Sequence, residues 1–61
     1  MSAQLLYRPE QAASLLEISR TRVYELMAAG QLKSVKLGRS RRIPDAALRA
    51  FVDSLAAQDS A

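Results

Sequence analysis

"SLLEISRTRVYELMAAG", Ser14 to Gly30, is the stretch that decides the fold. Val23, Leu26 and Met27 recur at i, i+3 and i+4, so the second half of the stretch is a helix with one apolar stripe. Ser19 stands just before it, and a serine hydroxyl in that place accepts a bond from the unpaired N–H groups of the first turn. Gly30 follows Ala29, where a glycine in the left-handed conformation stops a helix. Glu17, Ile18 and Ser19 are left as a tight turn, with Ile18 dropping into the core between two helices. At roughly 100° per residue, Arg20, Thr21, Tyr24 and Ala28 lie on or beside one flank of this helix, and Arg22 and Glu25 lie on the other.

Towards the N-terminus, "RPEQAASLLEIS" predicts the partner helix. Pro9 suits a first helical position, because the N–H it lacks would be unbonded there in any case. Glu10 places a negative charge against the positive end of the helix dipole. Ala12, Leu15 and Leu16 form its expected apolar stripe. Only about eight residues separate Pro9 from Glu17, so the helix needs tertiary packing to persist. Met1 to Gln4 reads as a loose start, and Leu5-Leu6 as either a short strand or an apolar clasp.

Towards the C-terminus, "VKLGRSRRIP", Val35 to Pro44, loses the helical period. Val35 and Leu37 alternate with Lys36, Gly38 opens a turn, and Arg41-Arg42-Ile43 returns, which predicts a two-stranded hairpin. A hairpin this short is stable only when packed on something else. Simple alternation assigns Val35, Leu37 and Ile43 to the packed face and sets Lys36 and Arg42 near each other on the opposite one. "PDAALRAFVDSL" then gives a third helix, with Asp45 as expected N-cap and Leu48, Phe51, Val52 and Leu55 at i, i+3, i+4 and i+7. "AAQDSA" has nothing further to bury and is expected to fray. The expected fold is mainly α with a small β-hairpin: three helices and a two-stranded wing, a winged helix-turn-helix in one domain spanning residues 1–61 with its ordered core at about 5–56.

Size and composition limit what such a domain can do. A 61-residue chain buries only about 60% of its unfolded surface, which leaves a small core. Neither cysteine nor histidine occurs, so disulfides and the usual zinc frameworks are excluded, and no metal or cofactor is expected. There is no phosphate-loop glycine pattern. Each of the six carboxylates has an ordinary helix-surface, cap or tail explanation, and a core this small hardly holds a catalytic pocket, so an enzyme is not expected. No apolar run approaches the roughly 20 residues of a membrane span, and no charged-then-apolar leader opens the chain. The expected location is the cytoplasm, with no membrane partner.

The net charge of +3 and isoelectric point near 10.0 admit either a polyanion partner or a plain soluble surface. Placement separates the two. Ser19, Arg20, Thr21 and Arg22 open the second helix, where two cations oppose the helix dipole at about 0.3–1 kcal/mol each. The leading end of such a helix enters the DNA major groove in helix-turn-helix proteins. There arginine addresses guanine O6 and N7, and threonine bonds a base edge or touches a thymine methyl. Tyr24 reads equally as core edge or as DNA contact. In the hairpin, Lys36, Arg39, Arg41 and Arg42 cluster around Gly38 and Ser40. A charged edge strand resists aggregation, but that explains one or two cations better than four, whereas phosphate contact explains all of them. Arg41 stands apart, since alternation can turn it to the packed face, its stem over apolar surface and its head in solvent.

With these pieces placed, "YRPEQAASLLEISRTRVYELMAAGQLKSVKLGRSRRIPDAALRAFV" resembles the excisionase-type, MerR-like winged helix-turn-helix domains over Tyr7 to Val52, about three-quarters of the chain. The resemblance implies a DNA-binding domain with its second helix in the major groove and its wing on the adjacent minor groove or backbone. It implies Ser19, Arg20, Thr21, Arg22 and Tyr24 as recognition-helix residues, and Lys36, Gly38, Arg39, Ser40, Arg41 and Arg42 as wing residues. Three departures stand out. Arg8 occupies the place of a Thr or Ser cap, Glu17 that of a turn glycine, and Arg41 that of a wing aromatic. They imply a lost capping bond with a cation gained near the DNA side, a strained or differently shaped turn, and a wing with weaker packing and a stronger electrostatic role.

The function the resemblance implies is that of a recombination directionality factor: sequence-specific binding and bending of attachment-site DNA, cooperatively with further copies arranged head-to-tail, directing a phage-type integrase toward excision. A small transcriptional regulator of the same fold shares every residue named. A protein-interaction module, docking an acidic partner on the wing and presenting the Leu48–Leu55 face, is the alternative of another class.

Overall fold

The computed structural model describes residues 4–59. The order of elements is β1 (Leu6–Tyr7), α1 (Pro9–Leu16), α2 (Arg20–Ala28), β2 (Val35–Leu37), β3 (Ser40–Pro44) and α3 (Asp45–Asp59). Three helices surround a small antiparallel sheet, the architecture of a winged helix-turn-helix. β3 is the central strand, in the order β1-β3-β2. Of Leu5-Leu6, Leu6 thus opens a strand: Leu6 pairs with Pro44 and Tyr7 with Ile43.

The C-terminal ends of α1 and α2 are built alike. At the end of α2, Gly30 sits at φ 79° and donates to the Met27 carbonyl, while Gln31 donates to Leu26. This is a Schellman closure with glycine in the left-handed seat. At the end of α1, Ile18 donates to Ala13 and Glu17 to Ser14, the same closure, but the left-handed seat at φ 57° belongs to Glu17. The expected strain is therefore located in one residue. A side chain held there costs about 1–3 kcal/mol, of which glycine's extra freedom in the unfolded chain returns about 0.4–1. Glu17→Gly is expected to stabilise the domain by about 1 kcal/mol, raising Tm by about 4–8 °C in a thermal melt followed by circular dichroism. An unchanged or lower Tm rejects the strain.

The N-terminal ends differ. Ser19 Oγ accepts from the Arg22 N–H at 3.0 Å, the expected cap of α2. Arg8 precedes α1 with no acceptor on its side chain. Only the return half of a capping box forms, from the Arg8 N–H to Gln11 Oε1 at 2.9 Å. Asp45 is the first residue of α3. Its N–H donates to the Leu5 carbonyl at 2.9 Å, and its carboxylate accepts from Arg49 Nε at 2.8 Å and the Tyr7 hydroxyl at 3.4 Å. Strand β1 is thereby tied to the start of α3. The helix runs on to Asp59, past Leu55 where the apolar spacing ends; residues 60 and 61 lie outside the described part.

The core is Ala12, Ala13, Val23, Leu26, Leu32, Ile43 and Leu48. Half-buried Tyr7, Leu16, Ile18, Met27, Ala47 and Phe51 pack around it. The stripe of α1 is rotated from the expected one: Pro9, Ala12 and Ala13 are buried and Leu15 is 60% exposed. On α3, Leu48 is buried and Phe51 half-buried, while Val52 and Leu55 stay exposed.

The hairpin corrects the sequence reading most. Leu37 pairs with Ser40, so Gly38 and Arg39 are a two-residue loop. Gly38 is at φ 64°, and leading with glycine suits the strand twist. A two-residue loop pairs odd-numbered with even-numbered positions: Val35 faces Arg42, and Lys36 faces Arg41. Paired residues share a face. Val35 and Leu37 therefore lie on the face opposite Ile43 and are exposed, while Ile43 is fully buried. Lys36 lies across from Arg41, not Arg42.

Candidate nucleic-acid interface

Two features of the fold converge on one side of the molecule: the flank of α2 carrying Arg20 and Tyr24, and the wing. Arg20 and Tyr24 are one helical turn apart. The Arg20 guanidinium lies over the Tyr24 ring, 5.3 Å from its centroid, and its Nη2 donates to the Tyr24 hydroxyl at 3.5 Å. The ring face attracts the cation and narrows its choice of rotamer. Thr21 is exposed beside them. Ser19 caps the helix, so one lone pair of its hydroxyl is taken by the Arg22 N–H, and its proton is left to donate.

Arg22 is on the other flank. It pairs with Glu25 at 3.2 Å and borders a groove with Leu16, Leu26, Phe51 and Leu55, away from the wing. The structure therefore brings Arg20, Thr21 and Tyr24 together and separates Arg22 from them. No acidic residue occupies the first turn of α2, so the positive end of the helix dipole is unopposed by a side chain there.

The wing meets α2 through Arg41. Arg41 shares the face of Ile43 and lines a depression with Tyr24, Met27 and Ala28, and its Nη1 donates to Ser34 Oγ at 3.3 Å. Arg41 itself stays exposed. Arg42 is half-buried and donates to the Arg41 carbonyl at 3.0 Å. Arg39 and Ser40 are exposed at the tip, and Lys36 on the edge strand. Tyr24 and the wing residues Arg39, Ser40, Arg41 and Arg42 line a common cleft.

The same cleft holds Arg8 and Pro9, brought there by the pairing of β1 with β3. Sequence reading set the Arg8 cation near the DNA side but did not count it among the interface residues. The signal that would have found it is the β1–β3 register, which local periodicity does not carry.

Among the described residues, no group of histidine, cysteine and carboxylates is placed to hold a metal ion, and no helix is long and apolar enough to cross a membrane.

Comparison with known proteins agrees with this geometry. A family described as "Helix-turn-helix domain" matches residues 6–56. A protein of Saccharopolyspora erythraea named "Probable excisionase" is 43% identical over 58 residues, which cover 95% of this chain and 59% of the relative. The chain thus spans about three-fifths of the length of the curated relative it matches. No solved structure matches it. With the turn, the Arg20–Tyr24 flank and the wing in place and the family match running from β1 into α3, the chain belongs to the helix-turn-helix domain family.

Proposed function

We propose that this protein is a DNA-binding excisionase: it binds attachment-site DNA in a sequence-specific way, bends it and directs an integrase toward excision, acting in the cytoplasm on nucleoid DNA. The observation that carries the DNA reading is the shared orientation of the Arg20–Tyr24 flank of α2 and the basic wing. The likeness to a protein named as a probable excisionase supports the recombination role. In this reading Arg20 and Thr21 address base edges, and the wing cations take phosphates.

One module of this size buries only about 600–1,000 Å² on DNA, so useful affinity calls for several copies side by side. The exposed strip of Leu15 on α1 and Val52 on α3 is an apolar surface suited to a neighbouring copy. Cooperative head-to-tail binding at tandem sites follows; a titration that fits independent sites rejects it. A recombination assay with the cognate integrase separates excision from transcriptional regulation, and excision unaffected by the protein rejects the role proposed.

Base reading has its own test. Arg20→Ala or Thr21→Ala is expected to relax preference at one base pair, by about 1–3 kcal/mol for a lost bidentate contact. Competition binding over a site library randomised at single positions measures this. Equal weakening on every sequence assigns Arg20 to the backbone instead.

A further inference from the structure

The register of the sheet places Arg8 one residue beyond the Tyr7–Ile43 pair, across from Arg42. Like charges directly opposite on a ladder destabilise it. Arg39 and Arg41 line the same cleft, and Glu10 is the one carboxylate that does. Among the described residues, none of these four arginines forms an ion pair. The formal charge of the cleft is thus +3, equal to that of the whole chain; the other basic and acidic residues balance. A fold that gathers its entire net charge into one cleft, against its own stability, is built around an anion.

We propose that this cleft is a clamp for one DNA backbone phosphate, gripped from one side by Arg8 at the entry to α1 and from the other by Arg42 of the wing. The clamp rests on the DNA-binding reading and adds a residue and a geometry to it. Arg41 contributes charge around the seat, and Arg39, at the loop, takes a neighbouring phosphate. Glu10 sits at its edge and works against occupancy. The wing and α1 are far apart in sequence, so a phosphate held between them also fixes the wing against the helix-turn-helix unit on DNA.

The test uses the full chain on a duplex site in which single phosphates are replaced, one linkage at a time, by uncharged methylphosphonates. Wild type is expected to be sensitive at one linkage where both Arg8→Ala and Arg42→Ala have lost sensitivity. Each substitution is expected to lower affinity about 8-fold at 0.1 M salt and to reduce the salt slope by about 0.9. Loss of sensitivity at two different linkages, or an unchanged slope for Arg8→Ala, overturns the clamp. Arg8→Thr guards against a folding artefact. It supplies the missing cap, so Tm rises while DNA affinity falls; a rise in both overturns the phosphate role of Arg8. Glu10→Gln is expected to tighten binding several-fold, and weaker binding contradicts the clamp. Wild type that binds no duplex at low salt rejects the DNA reading itself, a result distinct from wild type that binds while Arg8→Ala binds equally well.

Discussion

Ile43→Ala is expected to remove most of the stability of the domain. Ile43 is fully buried in the central strand, paired with Tyr7 and packed in one cluster with Ala12, Val23, Leu26 and Leu32. Truncating such a side chain costs about 2–5 kcal/mol, through lost transfer free energy and the cavity left behind. A domain of this length has roughly 3–9 kcal/mol in all. The midpoint of urea or thermal unfolding should fall accordingly, by about 10–30 °C in Tm. The contrast with Leu37→Ala makes the experiment decisive. Leu37 has the same apolar character on the same wing, but it is 58% exposed and on the opposite face. Its truncation is expected to change stability by less than about 0.5 kcal/mol. If the two substitutions cost the same, the two-residue loop and the register it imposes are wrong.

That contrast also shows where the sequence was legible. The helix-turn-helix unit could be read because its signals are local: Pro9 at a helix start, Ser19 at a cap, Gly30 at a stop, and apolar spacing near 3.6 between them. Each is a property of a few adjacent residues; the start, cap and stop hold in the structure, as does the stripe of α2, while the stripe of α1 is rotated so that Leu15 faces out. Even the anomaly of Glu17 was visible as a glycine seat filled by another residue. The wing was harder, because which face a strand presents depends on the parity of its loop. Counting Gly38 and Arg39 as the whole loop turns Val35 and Leu37 outward; alternation within each strand says nothing about that. Leu32 is 1% exposed and went unread because it sits between α2 and β2, where neither period applies. Strand β1 is two residues long, and only its long-range partner β3 gives it meaning.

The interface shows the same division. Arg20, Thr21 and Tyr24 were legible as one flank because helical geometry relates them directly. The separation of Arg22 follows from the same geometry, and its bond to Glu25 completes it. The joining of Arg8 to the wing required the sheet. Cations placed by local structure and cations placed by tertiary structure therefore have different signatures: in the reading proposed, the first set addresses bases along a helix, and the second gathers at one cleft.

The largest expected effect on binding comes from the wing. Arg39→Ala with Arg42→Ala should weaken binding to duplex DNA about 60-fold at 0.1 M salt, if each arginine releases one condensed counterion. Four neutralised phosphates give wild type a slope of log K against log salt of about −3.6, and the double substitution should bring it to about −1.8. The loss should be nearly the same on specific and random sequences, because phosphate oxygens carry no base identity. Stability should hardly change: Arg39 is exposed at the loop, and removing Arg42 relieves its opposition to Arg8. Salt titrations by fluorescence anisotropy on one specific and one scrambled duplex supply all of these readouts. A slope that stays at its wild-type value would detach the wing from the phosphates. A loss confined to the specific duplex would move Arg39 and Arg42 from backbone to base reading. The acidic-partner alternative predicts a third pattern, with little duplex affinity in wild type even at low salt and hence nothing for the substitutions to remove. Affinity, slope and sequence dependence together therefore separate a wing that grips DNA from one that reads it and from one that binds protein.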